Sequence, residues 1–331
     1  MIRRREFLLG GLAWTAALLA GCGEQQAAVV PDFVLTYAEN QPDGYPTTEG
    51  ARRFAELVRE RTGGKVLVQV KDSGVYGTEE EVWEQLAIGG VDFARLSLSV
   101  LTHDLPQLNI LQLPYLYRDS AHMWRVLDGA IGESFLQAVA GRDMVGLSWY
   151  DAGARSFYST QPIRSLGDLR GKTIRVQDSQ IVIDLIRLLG ATPVSFAYSD
   201  VYAAFETGKI DAAENNWPSY YSMGHYKVAK YYTVDEHSRV PEIQIASGKT
   251  WAKLPAEYRE VLRACAQESA QYERTLWAEQ ENKFRAAALA GGCREISLSD
   301  EELEAFRQLV QPLYQQYGGQ YLELIKAIEE Q

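Results

Sequence analysis

Between Gly171 and Tyr221 the hydrophobic pattern changes period every few residues. Lys172 to Val176 reads as a short strand, with Arg175 near its carboxyl end. Ser179 to Leu189 has the three-and-four spacing of an amphipathic helix, stopped by Gly190. Thr192 to Phe196 reads as a second strand and leads to Tyr198-Ser-Asp-Val-Tyr202. A helix then runs to Gly208, and Lys209 to Ala213 reads as a third strand ending in Glu214, Asn215, Asn216, Trp217 and Pro218. Strand, helix, strand, helix, strand within about fifty residues is one α/β winding. Ligands in such sheets lie beyond the carboxyl ends of strands. Arg175 and Asn215 both fall there, so the pattern predicts that they face one cleft and hold a small anion.

The flanking chain repeats the alternation. Phe33 to Ala38 reads as a strand running into the polar loop Glu39-Asn40-Gln41, whose position makes these residues cleft candidates or an ordinary turn. An amphipathic helix spans Thr48 to Thr62 and a strand Val66 to Val70. Thr78 caps a helix whose first turn holds Glu79, Glu80 and Glu81, where the helix dipole favours acids. Val91 to Ser97 reads as a third strand. Leu105 to Tyr117 is apolar and broken by Pro, as expected of a crossing segment packed under the cleft. Helices at Ser120 to Leu127 and Ile131 to Ala140 precede a strand, Met144 to Trp149, that leads into a second lobe and to Arg155 beside the cleft. The aromatic run Tyr220 to Tyr232 is expected to pack a helix. Thr233 to His237 and Val240 to Ser247 read as strands returning to the first lobe. Pro255 to Ala288 has no internal Gly or Pro and predicts one long helix across both lobes, and Asp300 to Gly318 holds another. The expected division is 32–145 for lobe 1, 146–239 for lobe 2, and 240–331 for the returning strands and C-terminal helices.

Composition then narrows the class. Residues 1–22 carry Arg4-Arg5, an apolar run and Leu19-Ala20-Gly21-Cys22: a twin-arginine export signal ending in a lipobox, with Cys22 as the lipid-bearing residue and 23–31 as a tether. The net charge is −11, and removing the signal's three Arg and one Glu leaves about −13. Basic patches are absent, so nucleic acid is excluded as a partner. Anion binding by such an acidic body requires a local Arg cluster. Cys265 and Cys293 sit about 40 Å apart if the long helix is straight, so no disulfide is expected between them.

The motifs Asp168-Leu-Arg-Gly-Lys-Thr-Ile-Arg175-Val176, Leu189-Gly-Ala-Thr-Pro193, Tyr198-Ser-Asp-Val-Tyr202 and Gly208-Lys-Ile-Asp-Ala-Ala-Glu-Asn215 together resemble the solute-binding subunits of TRAP (tripartite ATP-independent periplasmic) transporters, DctP type. Ala212 and Ala213 stand where that family often has Gly and Gln. The form Glu-Asn-Asn-Trp-Pro is similar to a branch that binds sugar acids, uronates in particular. The resemblance implies two α/β lobes of the periplasmic binding-protein kind, each a mixed sheet flanked by helices. It implies closure around one carboxylate, periplasmic location, membrane transporter subunits as partners, no cofactor or metal, and a monomer. It makes Arg175 the principal carboxylate ligand, Arg155 a second Arg of the site and Asn215 its polar partner, with Asn40 and Ser97 as first-lobe contacts. The lack of an acid near Ser97 implies a ligand other than sialic acid.

The residue chemistry suits that role. An Arg fork meets both oxygens of a carboxylate, and two Arg near one carboxylate call for a balancing acid, Glu214 or Glu39. Glu39, Asn40, Asn215 and Asn216 offer donors and acceptors to sugar hydroxyls. Trp217 or Tyr198 offers a stacking face, although plain core packing serves Trp217 equally well. The competing reading of Arg175 is a structural salt bridge to Asp178 or Asp200, and of Arg155 a bridge to the protein itself. A secreted uronate lyase or isomerase is the enzymatic alternative, but His103, His122, His225 and His237 form no metal-ligand motif. His237 beside Glu236 is the best acid–base candidate, in a pair that usually is only solvated. A dicarboxylate or keto-acid binder and a signalling receptor's sensor are further alternatives on the same fold.

Overall fold

The computed structural model describes residues 29–331. The twin-arginine segment, Cys22 and most of the tether lie outside the described residues. The strands are β1 (Phe33–Ala38), β2 (Val66–Lys71), β3 (Phe93–Ser97), β4 (Met144–Tyr150), β5 (Arg155–Ser159), β6 (Thr173–Val176), β7 (Thr192–Ser195), β8 (Ala212–Asn215), β9 (Tyr231–Ser238), β10 (Glu242–Ser247) and β11 (Arg294–Ser297). They form two sheets, ordered β2-β1-β3-β10-β4 and β11-β9-β5-β8-β6-β7. Each sheet mixes parallel and antiparallel pairs and carries helices, which is the two-lobed α/β architecture expected from the alternation.

Local chemistry explains the element ends. Thr78 accepts from the Glu81 N–H while the Glu81 carboxylate accepts from the Thr78 N–H, a closed capping box on the helix Glu79–Ile88. In the 168–176 motif, Asp168 accepts from the N–H groups of Arg164 and Ser165. Asp211 accepts from the Thr173 N–H at 2.8 Å. Those acids lock β6 beside β8, and the parallel register places Arg175 opposite Ala213, two residues from Asn215.

Two boundaries differ from the expected ones. β4 pairs with β10 in the first sheet, so the crossing into the second lobe falls at Asp151–Ala154 and not at residue 145. The returning pair also divides: β9 stays in the second sheet and only β10 reaches the first, between β3 and β4. A strand that ends one lobe and a strand that opens the next have the same local pattern, and only pairing separates them. β11 was not legible either, because Arg-Glu-Ile-Ser is a short edge strand with one apolar residue. The C-terminal helix Leu322–Glu329 also went unread.

The long helix runs unbroken over Ala256–Ala290, about 50 Å. Leu262, Cys265, Ala266, Ser269, Ala270, Glu273 and Trp277 form its buried stripe. It packs against the helix Pro46–Arg61 in the first lobe and Trp217–Ser222 in the second. Cys265 and Cys293 are both free and buried.

Gly50, on the helix Pro46–Arg61, sits at a close contact in this packing. A Cβ there would meet Tyr150 Cε2 at 2.8 Å and Glu273 Cβ at 2.9 Å. The helix-propensity gain of Gly→Ala is about 1 kcal/mol at most, whereas overpacking a fixed contact costs about 1–3 kcal/mol. Gly50→Ala is therefore expected to destabilise the protein, read as a lower urea midpoint at unchanged slope.

Candidate functional site

The second sheet gathers its polar residues at one edge. Arg155 opens β5, Arg175 lies near the end of β6, Glu214 and Asn215 end β8, and His237 lies near the end of β9. Antiparallel register sets Ser156 against Asn215 and Phe157 against Glu214, bringing Arg155 to the same edge.

Arg155 is buried and holds Glu214 with two prongs, Nε to Oε2 at 2.5 Å and Nη2 to Oε1 at 2.8 Å. Its Nη1 donates to Asn215 Oδ1 at 3.1 Å. Glu214 is thus the balancing acid, and burial notwithstanding, Arg155 and His237 hold its carboxyl down to about 2. The bridge to the protein itself is the one that forms for Arg155. His237 is wholly buried and stacks on Phe157. Its Nδ1 lies 2.8 Å from Asp235 Oδ2 and its Nε2 lies 3.5 Å from Glu214 Oε2. Against the desolvation that disfavours its charge, Asp235 and Glu214 push its pKa up to about 9. The solvated pairing with Glu236 is therefore overturned: a residue that alternates along β9 points inward, while Glu236 pairs with Arg239 outside.

Arg175 is 3% exposed. It donates from Nε and Nη2 to the Phe196 carbonyl, at 3.1 and 2.7 Å, and forms no ion pair among the described residues. The bridge to Asp178 or Asp200 is absent. Burial, and the like charge of Arg155, push its guanidinium pKa down. Arg stays ionised even so. In this edge Arg155, Arg175 and His237 carry three positive charges against two on Glu214 and Asp235. One positive charge is left over, on Arg175.

The first lobe faces this edge with a cluster that the sequence reading missed. Arg95, in β3, is 2% exposed and surrounded by Glu39, Glu79 and Glu242. Its Nε donates to Glu39 Oε2 at 3.1 Å and its Nη1 lies 3.0 Å from Glu242 Oε2. Asn40 Oδ1 also accepts from Arg95. Glu39 and the Asn40 side-chain oxygen are engaged by Arg95. Three carboxylates exceed one guanidinium, and burial, with Glu79 and Glu39 nearby, pushes Glu242 up to about 8 against the pull of Arg95. An isolated Arg within an apolar strand, with its acids scattered over residues 39, 79 and 242, carries no spacing signal.

Other candidates divide. Ser97 Oγ accepts from the Ser99 N–H at 3.4 Å and caps the turn that follows β3. Asn216 caps the helix Trp217–Ser222 through the Ser219 N–H and donates to the Ala152 carbonyl, so its side chain is spent on structure. Trp217 stacks on Tyr232 at 3.6 Å within the aromatic cluster of Tyr158 and Tyr220, which is core packing. Tyr198 lies at the site: its hydroxyl is buried close to Ser219 and Gln41 without a well-formed hydrogen bond, under the field of Arg175 and Arg155. Gln41 Oε1 is likewise buried without a partner. The two walls meet through Tyr45 OH and Ser219 Oγ at 2.9 Å and through Ser99 Oγ and Gln177 Oε1 at 3.2 Å, a closed arrangement. Among the described residues no group of three or more His, Cys, Asp or Glu is placed to hold a metal ion.

Residues 37–320 match the DctP family profile, described as bacterial extracellular solute-binding protein, family 7. A solute-binding protein of Chromohalobacter salexigens is 34% identical, over 86% of this chain and 84% of its own. A TRAP periplasmic solute-binding protein from Bradyrhizobium, solved with galacturonate, superposes with a TM-score of 0.87 at 39% identity, covering 90% of this chain and 99% of that one. One from Chromohalobacter salexigens with bound D-glucuronate gives 0.86 at 33% identity, covering 89% and 99%.

The buried His237 yields a pH test. A folded-state pKa raised above the ordinary 6.5 gives stability that is fully present below pH 6.5 and lost as pH rises through about 9. The difference in unfolding free energy between the native chain and His237→Gln is expected to shrink by roughly 3 kcal/mol over that window. Urea titrations at fixed ionic strength read it, and parallel profiles would mean that His237 is neutral when folded.

Proposed function

The chain belongs to the DctP family of bacterial extracellular solute-binding proteins, the binding subunits of TRAP transporters, and we propose that the solute it carries is a uronate such as glucuronate or galacturonate. Its work is binding and delivery to the membrane subunits, not catalysis. The observation that carries the proposal is Arg175, a buried guanidinium with no ion-pair partner among the described residues. Leaving such a charge uncompensated in a dry cleft is costly. A single carboxylate, met by the remaining N–H groups of the fork, balances it. Arg155, already neutralised by Glu214, then acts from behind as a donor scaffold for Asn215.

The same charge count argues against a dicarboxylate, which would bring two negative charges to one unpaired guanidinium. A uronate has one carboxylate and several hydroxyls. Tyr198 OH and Gln41 Oε1, both buried, offer a donor and an acceptor to such hydroxyls. Relatives solved with galacturonate and D-glucuronate support this choice. Export by the twin-arginine segment and lipidation at Cys22 belong to the proposal as well, supported by the sequence motifs alone.

Arg175→Ala is expected to abolish detectable binding of D-glucuronate and D-galacturonate in calorimetric titration. Arg175→Lys is expected not to restore it, because a point charge does not reproduce the fork. Near wild-type affinity in either variant would sink the assignment. A thermal-shift screen of uronates, aldonates and dicarboxylates ranks the ligands, since a ligand of the folded state raises the midpoint.

A further inference from the structure

A second cavity, of about 370 Å³, shares only Asp235 with the cleft edge. That volume is within the range of small-molecule sites. The crossing segment of the first lobe supplies Tyr115, Tyr117 and Arg118. The β9 end and the link to β10 supply Asp235, Glu236 and Arg239, and the helix Asp300–Leu309 supplies Arg307.

The charges there do not cancel. Both Asp235 oxygens are engaged, one by His237 at 2.8 Å and one by the Phe157 N–H at 3.1 Å. Glu236 is held by Arg239 at 2.7 Å. Arg118 spends one nitrogen on the Glu329 carbonyl, and Arg307 lies 4.0 Å from its nearest acid, Glu304. Two guanidiniums are left over. Beside them the Tyr115 and Tyr117 hydroxyls are buried with no hydrogen-bond partner, and Tyr117 is only 6% exposed. Burial raises both phenol pKa values, so both hydroxyls remain donors. The Arg307 guanidinium sits 5.5 Å from the Tyr115 ring centre, which orients it.

The backbone is strained at the same place. Tyr115 has φ 60° and Glu236 φ 44°, two of the four non-glycine residues at positive φ among the described residues. For a bulky side chain that conformation persists only where the surroundings enforce it, and such strain concentrates at binding and switching sites. The walls draw on both lobes: the crossing segment lies between β3 and β4 of the first sheet, Asp235 and Glu236 lie in β9 of the second, and the Tyr115 N–H donates to the His237 carbonyl at 3.0 Å across the junction.

We propose that this cavity is a second binding site, for a small organic carboxylate, and that its occupant biases closure of the lobes. Guanidiniums and neutral phenols are complementary to a carboxylate. Because both lobes build the walls, their spacing changes with the cleft angle, and the occupant binds the open and closed forms unequally. The effect on the cleft is then reciprocal.

Citrate is the probe. Titrated calorimetrically into Arg175→Ala at constant ionic strength, which removes the cleft's ligand Arg and fixes screening, it is expected to bind one site per chain. Arg118→Gln combined with Arg307→Gln, both on the surface, is expected to weaken that binding by about tenfold or more. No heat with citrate, or heat unchanged by the double substitution, overturns the site; the first result would leave the cavity to an acidic side chain of a protein partner. The coupling rests on the uronate reading. With Arg175 intact, saturating citrate is expected to change the D-glucuronate Kd about threefold or more, and the double substitution to cancel the change. A constant Kd overturns the coupling. Should glucuronate itself fail to bind, the first titration still decides the site.

Discussion

One uncompensated charge organises this protein. Arg175 is held between strands in a nearly dry edge, its backbone partner is a carbonyl, and among the described residues no acid pairs with it. At its own edge the other cations are paired: Arg155 with Glu214, His237 with Asp235 and Glu214. Isolating one cation in this way gives a binding protein its selectivity. On the proposed reading the ligand brings one negative charge within reach of a planar fork. A second free cation would favour dianions, and an internal acid on Arg175 would compete with the ligand.

The first lobe answers with the opposite imbalance. Glu39, Glu79 and Glu242 share Arg95, and the acid least well served, Glu242, rises to about 8. Raising the pKa of Glu242 lessens the negative charge on the wall that faces this edge. The two walls are carried by strands that belong to different sheets but lie a few residues apart in the chain, β4 next to β5 and β9 next to β10. The long helix packs on both lobes and keeps those crossings in register. Charge distribution and hinge geometry are thus two aspects of one arrangement, because the polar residues sit where the strands change lobes.

The local alternation showed much of this in advance. The β6–β8 winding, the Thr78 cap, the unbroken helix and the free cysteines all follow from period, capping chemistry and length, which act over a few residues. Arg175 was legible at its strand's end because its strand and motif were. Its lack of an internal partner was not, since Asp178 and Asp200 are close in sequence and only the folded backbone turns them away. Trp217 and Asn216 went the other way: their types suit a sugar site, but the helix they open spends one on stacking and the other on capping.

The sequence by itself determined the periodicity, the two α/β windings, the family and the presence of an Arg at a strand's carboxyl end. Those are properties of neighbours along the chain. Tertiary structure alone decided which charges cancel. Arg95 meets acids from residues 39, 79 and 242, and Arg155 meets one from residue 214. Coulombic pairing depends on distance in space and on exclusion of water, and neither is encoded in spacing along the chain. Which guanidinium stays free for a ligand is therefore settled only when the sheets bring those acids together.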